Sequence, residues 1–131
     1  MARGRDSHQA RLAATSALGK TLTRRARSKC ELCGDSDGLK VVEVPPLPEE
    51  PSDDSALLAC ERCRRNLTDT LDDAGTLRFL ENAVWEELLP SRLAAYILVQ
   101  RLAKDEVQWA KALLEQVWVD EDLQQRLDGL K

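Results

Sequence analysis

The residues of this chain best suited to chemistry are its four cysteines, which form two C-x-x-C pairs. Cys30 and Cys33 make the first pair, and Cys60 and Cys63 make the second. A C-x-x-C turn lets two thiolates converge on one ion, and two such turns supply the four sulfur ligands that zinc binds tetrahedrally. Four thiolates leave no open coordination position, so the sequence predicts Zn²⁺ in a structural role.

Other uses of two cysteine pairs are a redox dithiol, two disulfides and an iron–sulfur cluster. A redox C-x-x-C usually opens a helix directly after a strand. Here the first pair is followed by the turn "GDSDG" and only then by an apolar run. Gly34 suits the tight turn of a zinc knuckle, where a positive φ is often needed. Zinc is the favoured interpretation, and the three alternatives stay open.

The elements that must position these cysteines follow the order knuckle, hairpin, knuckle, helix. Residues 39–44, "LKVVEV", are β-branched and predict a strand, and residues 56–60, "ALLAC", can pair back on it. The prolines and acidic residues of "PPLPEEPSDD" predict an exposed loop between them. A helix is expected over 61–73. The predicted fold is therefore α+β and α-rich, with a treble-clef or zinc-ribbon β-hairpin and a four-cysteine zinc site as its nucleus.

Nucleases of the HNH type are built on this treble-clef order, and they need a histidine on the hairpin to activate water beside a divalent metal. The only histidine, His8, precedes the first cysteine pair, and the hairpin carries Val42, Glu43 and Val44 instead. We interpret His8 as a surface residue and Glu43 as a solvated side chain. A divergent nuclease using Glu43 with a borrowed metal is the enzymatic alternative. The missing histidine and the closed four-cysteine site weigh against an enzyme.

The remaining sequence predicts helices on both sides of the zinc unit. A basic N-terminal helix or arm covers residues 1–28, the zinc-knuckle domain residues 29–75, and a helical lobe continuous with it residues 76–131. The N-terminal helix, expected over about 7–27, carries a narrow apolar stripe that needs a surface to pack on: Leu18, Leu22 and Ala26.

The sequence of the helical lobe predicts three or four short leucine-rich helices. Ser91, Asp105 and Asp120 each precede an apolar periodic stretch and are the expected N-caps. All aromatic residues fall in this half, and at helical spacing they are expected in the core. They are Phe79, Trp85, Tyr96, Trp109 and Trp118.

Charge is distributed unevenly along the chain, whose net charge is −4. Residues 1–30 hold eight Lys or Arg against one Asp, and the rest of the chain is acidic. A basic segment can bind phosphate backbones, although a helix resting on the protein's own acidic surface explains the same charges. The candidate contact residues for nucleic acid or an acidic protein are Arg24, Arg25, Arg27, Lys29, Arg62, Arg64 and Arg65.

The motifs around the cysteines resemble those of the PhnA-like zinc-ribbon family of small bacterial proteins. The resemblance rests on "SKCELCG", "VVEVPP", "LLACERCRRNL" and the segment from Leu80 to Pro90, and it implies zinc ligation by the four cysteines. Family members are often labelled as phosphonate-utilisation proteins, so a phosphonate-related hydrolase is a further enzymatic alternative. Where the family tends to have Trp-Arg-Cys-Leu, this chain reads Leu-Arg-Phe-Leu over residues 77–80.

The sequence as a whole predicts a small zinc-binding protein that acts as a binding or interaction module. No apolar run reaches the roughly 18 residues that a membrane span needs. The first twenty residues lack the apolar block of a secretory signal, so we expect a reducing, cytoplasmic location. Their Arg-rich, acid-poor composition is also typical of an organelle transit peptide. The oligomeric state is not predicted.

Overall fold

The computed structural model describes the backbone of residues 2–130 and the side chains of residues 8–130, and in this part the chain is helix-rich with one small antiparallel sheet. The predicted α+β, α-rich class is confirmed at this level. The elements are α1 (Ala2–Ala17), α2 (Gly19–Ala26), β1 (Lys40–Glu43), β2 (Ala56–Ala59), α3 (Glu61–Thr68), α4 (Leu80–Ala83), α5 (Leu89–Lys104), α6 (Gln108–Gln116) and α7 (Glu121–Asp128), with a 3-10 turn at Ala74–Leu77.

β1 and β2 form the predicted hairpin, with Lys40 opposite Ala59 and Glu43 opposite Ala56. Beyond the paired strands, the N–H of Val44 donates to the carbonyl of Ser55 at 2.8 Å. The pairing stops at the proline-rich segment because proline has no N–H to donate. The segment between the strands is a loop, as its composition predicts.

The hairpin is covered on both of its faces. Successive side chains of a strand point to opposite sides; accordingly Leu57 and Ala59 belong to the main core, and Ala56 and Leu58 to a second, smaller core. All four residues are buried. The hairpin is therefore the layer between two packed regions.

The smaller core lies under α2, whose apolar stripe packs on the outer face of the hairpin. Leu22 is fully buried there, with Leu18 and Ala26 partly buried beside it, so the expectation that this stripe needs a surface is confirmed. The prediction of one helix over 7–27 is wrong in one respect. The chain turns at Leu18, before Gly19, and the second helix starts there.

The helical lobe is organised around α5, which contacts α3, α4, α6, α7 and β2. Its buried apolar residues include Leu93, Leu98 and Leu102, and the same core extends to Cys30 and Cys60. The cysteine region and the lobe thus share one core. Among residues 2–130, no helix combines the length and apolar character that crossing a membrane requires.

Of the three expected N-caps in the lobe, Asp120 is confirmed, since its carboxylate accepts the N–H of the third residue after it at 2.9 Å. The other two are wrong. Helix α5 begins two residues before Ser91, with Pro90 in its first turn, where proline is favoured. Asp105 ends α5 instead of starting α6.

The helix predicted over 61–73 ends at Thr68, because the Asn66 side chain forms hydrogen bonds to the segment that follows. The buried Asn66 donates to the carboxylate of Asp72 at 3.1 Å and accepts the backbone N–H of Asp72 at 2.7 Å. Arg65 holds the same carboxylate at 2.9 Å. These bonds fold residues 69–73 back against α3, and they give the N–H of Asp72 a hydrogen-bond acceptor beyond the end of the helix.

Candidate metal centre

The first cysteine pair lies on a tight turn directly after α2. The N–H of Cys30 donates to the carbonyl of Asp35 at 2.6 Å, and the N–H of Gly34 donates to the carbonyl of Cys30 at 2.9 Å. Gly34 has a φ of +85°, which a residue with a Cβ adopts only with strain. The N–H of Leu32 points at the Cys30 sulfur, 3.4 Å away. The first pair therefore lies on a tight turn with a positive φ at Gly34, as the sequence predicts.

The second pair lies where β2 passes into α3. Cys60 is the extended residue at the start of α3, and Cys63 is in its first turn. A helix N-terminus carries partial positive charge and favours a thiolate. The hydrogen bond from the N–H of Glu31 to the carbonyl of Leu58, at 2.8 Å, brings the first turn beside the end of β2. The hairpin and α3 thereby bring the two pairs together.

The four sulfur atoms form one cluster, in which all lie within 4.8 Å of one another. The Cys33 and Cys60 sulfurs are 3.6 Å apart, and all four cysteines are free thiols. Cys30, Cys60 and Cys63 are buried and Cys33 is half-buried. Sulfur ligands about 2.3 Å from a tetrahedral ion lie about 3.8 Å apart. The cluster can therefore hold a metal ion.

The thiols of the cluster influence one another's ionisation. A hydrogen bond from the Cys63 thiol lowers the pKa of Cys30 to about 4, and the same hydrogen bond raises the pKa of Cys63. Burial raises the pKa of Cys60. Four thiolates this close together repel one another, so their joint ionisation requires a nearby cation. A divalent ion held by the four cysteines would supply that charge.

One arginine stands over the cluster. The Arg62 guanidinium lies 5.3 Å from the centre of the Phe79 ring, a cation–π distance. Burial lowers the pKa of Arg62, but the nearby cysteine thiols, Cys33 above all, outweigh burial and raise it. Arg62 therefore offsets part of the negative charge that a four-thiolate site carries.

Comparison with known proteins does not assign this chain to a family. No family model matches it, and no curated protein or solved structure matches it. The PhnA-like resemblance of the sequence stays a prediction. The chemistry of the centre follows from its four sulfurs and their neighbours.

Two of the basic residues predicted to contact a partner form hydrogen bonds that connect parts of this chain. Arg25 binds both carboxylate oxygens of Glu31 at 2.8 and 2.9 Å and donates to the carbonyls of Asp53 and Ala56. Arg64 donates to the carbonyl of Ala59 at 2.7 Å and to that of Gly38. Arg25 joins α2 to the hairpin.

Arg65 and Arg62 are also engaged, since Arg65 bonds to the Asp72 carboxylate and Arg62 lies over the Phe79 ring. The other three predicted residues are exposed and form no side-chain hydrogen bond or ion pair within residues 8–130: Arg24, Arg27 and Lys29. The seven candidates therefore divide into four engaged side chains and three free ones.

Arg24 and Arg27 line a groove of about 610 Å³ on α2, together with Lys20, which the sequence analysis missed. Lys20 is exposed and has no side-chain partner among the described residues. Lys20 and Arg24 are four residues apart on α2, which places them on one helix face, and this was the available signal. Arg27 follows at the left-handed C-cap of α2. We call Lys20, Arg24 and Arg27 the basic groove.

Glu43, the catalytic residue of the nuclease alternative, is held by the N-terminal helix. Arg11 donates to its two carboxylate oxygens at 2.8 and 2.7 Å and also to the carbonyls of Pro48 and Glu49. The hydrogen bond to Glu43 raises the pKa of Arg11. His8 is exposed on α1 and is not part of the sulfur cluster. In this structure Glu43 docks α1 on the hairpin.

Proposed function

We propose that the four cysteines bind one zinc ion that stabilises the fold, and that the chain acts as a binding module on this scaffold. The observation that carries the proposal is the convergence of four sulfurs, from two pairs far apart in sequence, within 4.8 Å. Zinc prefers four thiolates in tetrahedral geometry, and such a site has no position for substrate. A structural role follows from that closed set of ligands.

The other uses of the cysteines agree less well with these distances. Disulfides require sulfurs about 2.05 Å apart, whereas Cys33 and Cys60 are free at 3.6 Å. A redox dithiol uses one pair, but here both pairs face the same point. A cluster of several irons and sulfides occupies more space than a single ion and holds its thiolates farther apart. A mononuclear centre fits the observed spacing best.

Metal analysis of protein purified without added zinc tests the first half of the proposal. We expect about one zinc per chain, lost in Cys63→Ser, with unfolding in the apo form because structural zinc contributes about 10–16 kcal/mol of apparent binding energy. His8→Ala removes the chain's only histidine and is the matched control, which should keep its zinc. A folded metal-free protein, iron in place of zinc, or cross-linked thiols would contradict the proposal.

The partner that the basic groove best fits is a nucleic acid backbone. Lys20, Arg24 and Arg27 are exposed and unpaired among the described residues, so their charges are available to phosphates. Lys29 follows directly on the same segment. The chain beyond residue 30 is acidic overall, so the excess of basic residues lies in the first thirty residues.

Binding of a labelled duplex and of a single strand, measured across a salt series, tests this second half. Each phosphate contact contributes about 0.7–0.9 to the slope of log affinity against log salt. Arg24→Ala with Arg27→Ala should weaken binding and lower that slope by about 1.5. The matched control, Lys40→Ala with Lys104→Ala, also removes two exposed charges and should change neither. Equal behaviour of the two double variants would exclude the basic groove as the contact.

The resemblance to PhnA-like proteins supports the zinc part of the proposal, because the motifs that carry it contain all four cysteines. It brings no reaction to this chain. Assays of phosphonoacetate hydrolysis, and of plasmid nicking with added Mg²⁺ or Mn²⁺, test the enzymatic alternatives. Activity that Glu43→Gln abolishes would contradict a purely binding role.

A further inference from the structure

Two tryptophans of the helical lobe are exposed, although helical spacing predicts them in the core. Trp118 is 79% exposed and Trp85 is 51% exposed. In contrast, Trp109 packs against the main core. Tryptophan is the largest apolar side chain, and large exposed aromatics are typical of binding surfaces. Their positions therefore need an explanation other than packing.

The turns that carry these tryptophans lie side by side, because one arginine bonds to both. Arg92, in the first turn of α5, donates to the carbonyl of Glu86 at 3.4 Å and to the two carboxylate oxygens of Asp120 at 3.2 and 2.9 Å. Trp85 directly precedes the first of these residues, and Trp118 is two residues before the second. The two turns thus lie next to each other on the helical lobe, and each carries an exposed indole.

The same two segments carry four exposed carboxylates with no side-chain hydrogen bond or ion pair among residues 8–130: Glu86, Glu87, Glu121 and Asp122. We call these residues, with Trp85 and Trp118, the aromatic acidic patch. The negative faces of indole rings attract cations, and so do the carboxylates. Phosphates are repelled, which argues against base stacking of a nucleic acid on these tryptophans.

We propose that the aromatic acidic patch binds an arginine-rich segment of a partner protein. A guanidinium stacks flat on an indole and still donates to a carboxylate at its edge. The patch offers both groups in adjacent turns. Charge complementarity therefore selects a cationic, extended peptide. This surface is independent of the basic groove and of any nucleic acid bound there.

Fluorescence anisotropy with the full, metal-loaded chain tests this inference. The probe is a fluorescein-labelled 12-residue peptide of alternating arginine and glycine, and the same peptide with glutamine for arginine should not bind. Trp118→Ala should weaken binding about fivefold, as for one partly desolvated cation–π contact. Glu121→Gln with Asp122→Asn should weaken it about tenfold at about 50 mM salt and less at about 300 mM, where screening is stronger.

Matched controls come from the loop between the two strands. Leu47→Ala removes a side chain that is 54% exposed, and Glu49→Gln with Glu50→Gln removes two exposed carboxylates; both should leave peptide binding unchanged. The inference is overturned if the peptide does not bind, if patch and control variants lose the same affinity, or if light scattering shows a dimer that Trp118→Ala dissociates. Arg24→Ala with Arg27→Ala should not affect the peptide, which separates this test from that of the basic groove.

Discussion

Arg25 tests the structure most directly. The sequence predicts that it contacts a partner, whereas in the structure it bonds to Glu31 and to backbone carbonyls of the same chain. We predict that Arg25→Ala destabilises the protein by about 3 kcal/mol. The Glu31 side chain is only 5% exposed and Arg25 is 24% exposed. Removing Arg25 leaves a buried carboxylate whose remaining bond is the N–H of Leu58 at 2.8 Å.

The magnitude follows from the bonds that are lost. Breaking a buried ion pair costs about 3–5 kcal/mol, since the remaining charge has no partner. Two further hydrogen bonds, to the carbonyls of Asp53 and Ala56, go with it. Water can reach the partly exposed site of Arg25 and replace some of the lost hydrogen bonds, so we take the lower end of the range. At this chain length the change lowers Tm by about 10 °C.

Urea unfolding at a fixed excess of zinc measures this effect, because bound metal otherwise shifts the apparent stability. Arg24→Ala, one position away and exposed, is the control and should cost less than about 0.5 kcal/mol. In the Glu31→Gln background no charge is stranded, so Arg25→Ala should cost about 2 kcal/mol less than in the wild type. Similar costs for Arg24→Ala and Arg25→Ala would refute this reasoning.

Three shorter predictions concern other parts of the fold. The pKa of Asp72 is lowered by its hydrogen bond from Asn66 and by Arg65, so the stabilisation from its carboxylate is complete above about pH 4 and is lost as pH falls through the lowered pKa. The difference in urea midpoint between the wild type and Asp72→Asn should therefore shrink as pH falls through that range, and a constant difference would contradict this. Gly34→Ala should cost about 1 kcal/mol and weaken zinc retention against a chelator, because φ is +85° there. Leu98→Ala should cost about 2–5 kcal/mol in thermal unfolding, since this side chain is fully buried on α5.

The sequence predicts those features that depend on local chemistry. Two C-x-x-C pairs around a β-branched run suffice to place the sulfur cluster beside a hairpin, because each turn and strand is specified by its own residues. The N-cap at Asp120 is similarly local. Local signals mislead where two candidates compete, as at Ser91, where Pro90 already opens the helix.

Features that depend on distant partners are not contained in local patterns. The sequence does not show which of Arg24, Arg25 and Lys29 meets a buried carboxylate. Glu31, in the turn after α2, is oriented by the N–H of Leu58 on β2, which is distant in the chain. Likewise, Trp109 lies within α6 and packs on the core, whereas α6 ends at Gln116, so Trp118 lies in the connection to α7 and is exposed. Helical spacing predicts a buried face only as far as the helix extends, and the apolar pattern around Trp118 does not show where α6 ends.

The hairpin explains why a metal that touches no substrate can matter to both proposed surfaces. One face of β2 packs under α2, which carries the basic groove, and the other face packs into the core of the helical lobe, which carries the aromatic acidic patch. Two such short strands cannot hold these layers unaided, since an isolated two-stranded hairpin is marginally stable in water. An ion bound at Cys30, Cys33, Cys60 and Cys63 would join the chain before β1 to the chain after β2, at the open end of the hairpin where Lys40 pairs with Ala59. By holding these layers together, it would act on both proposed surfaces without contacting either.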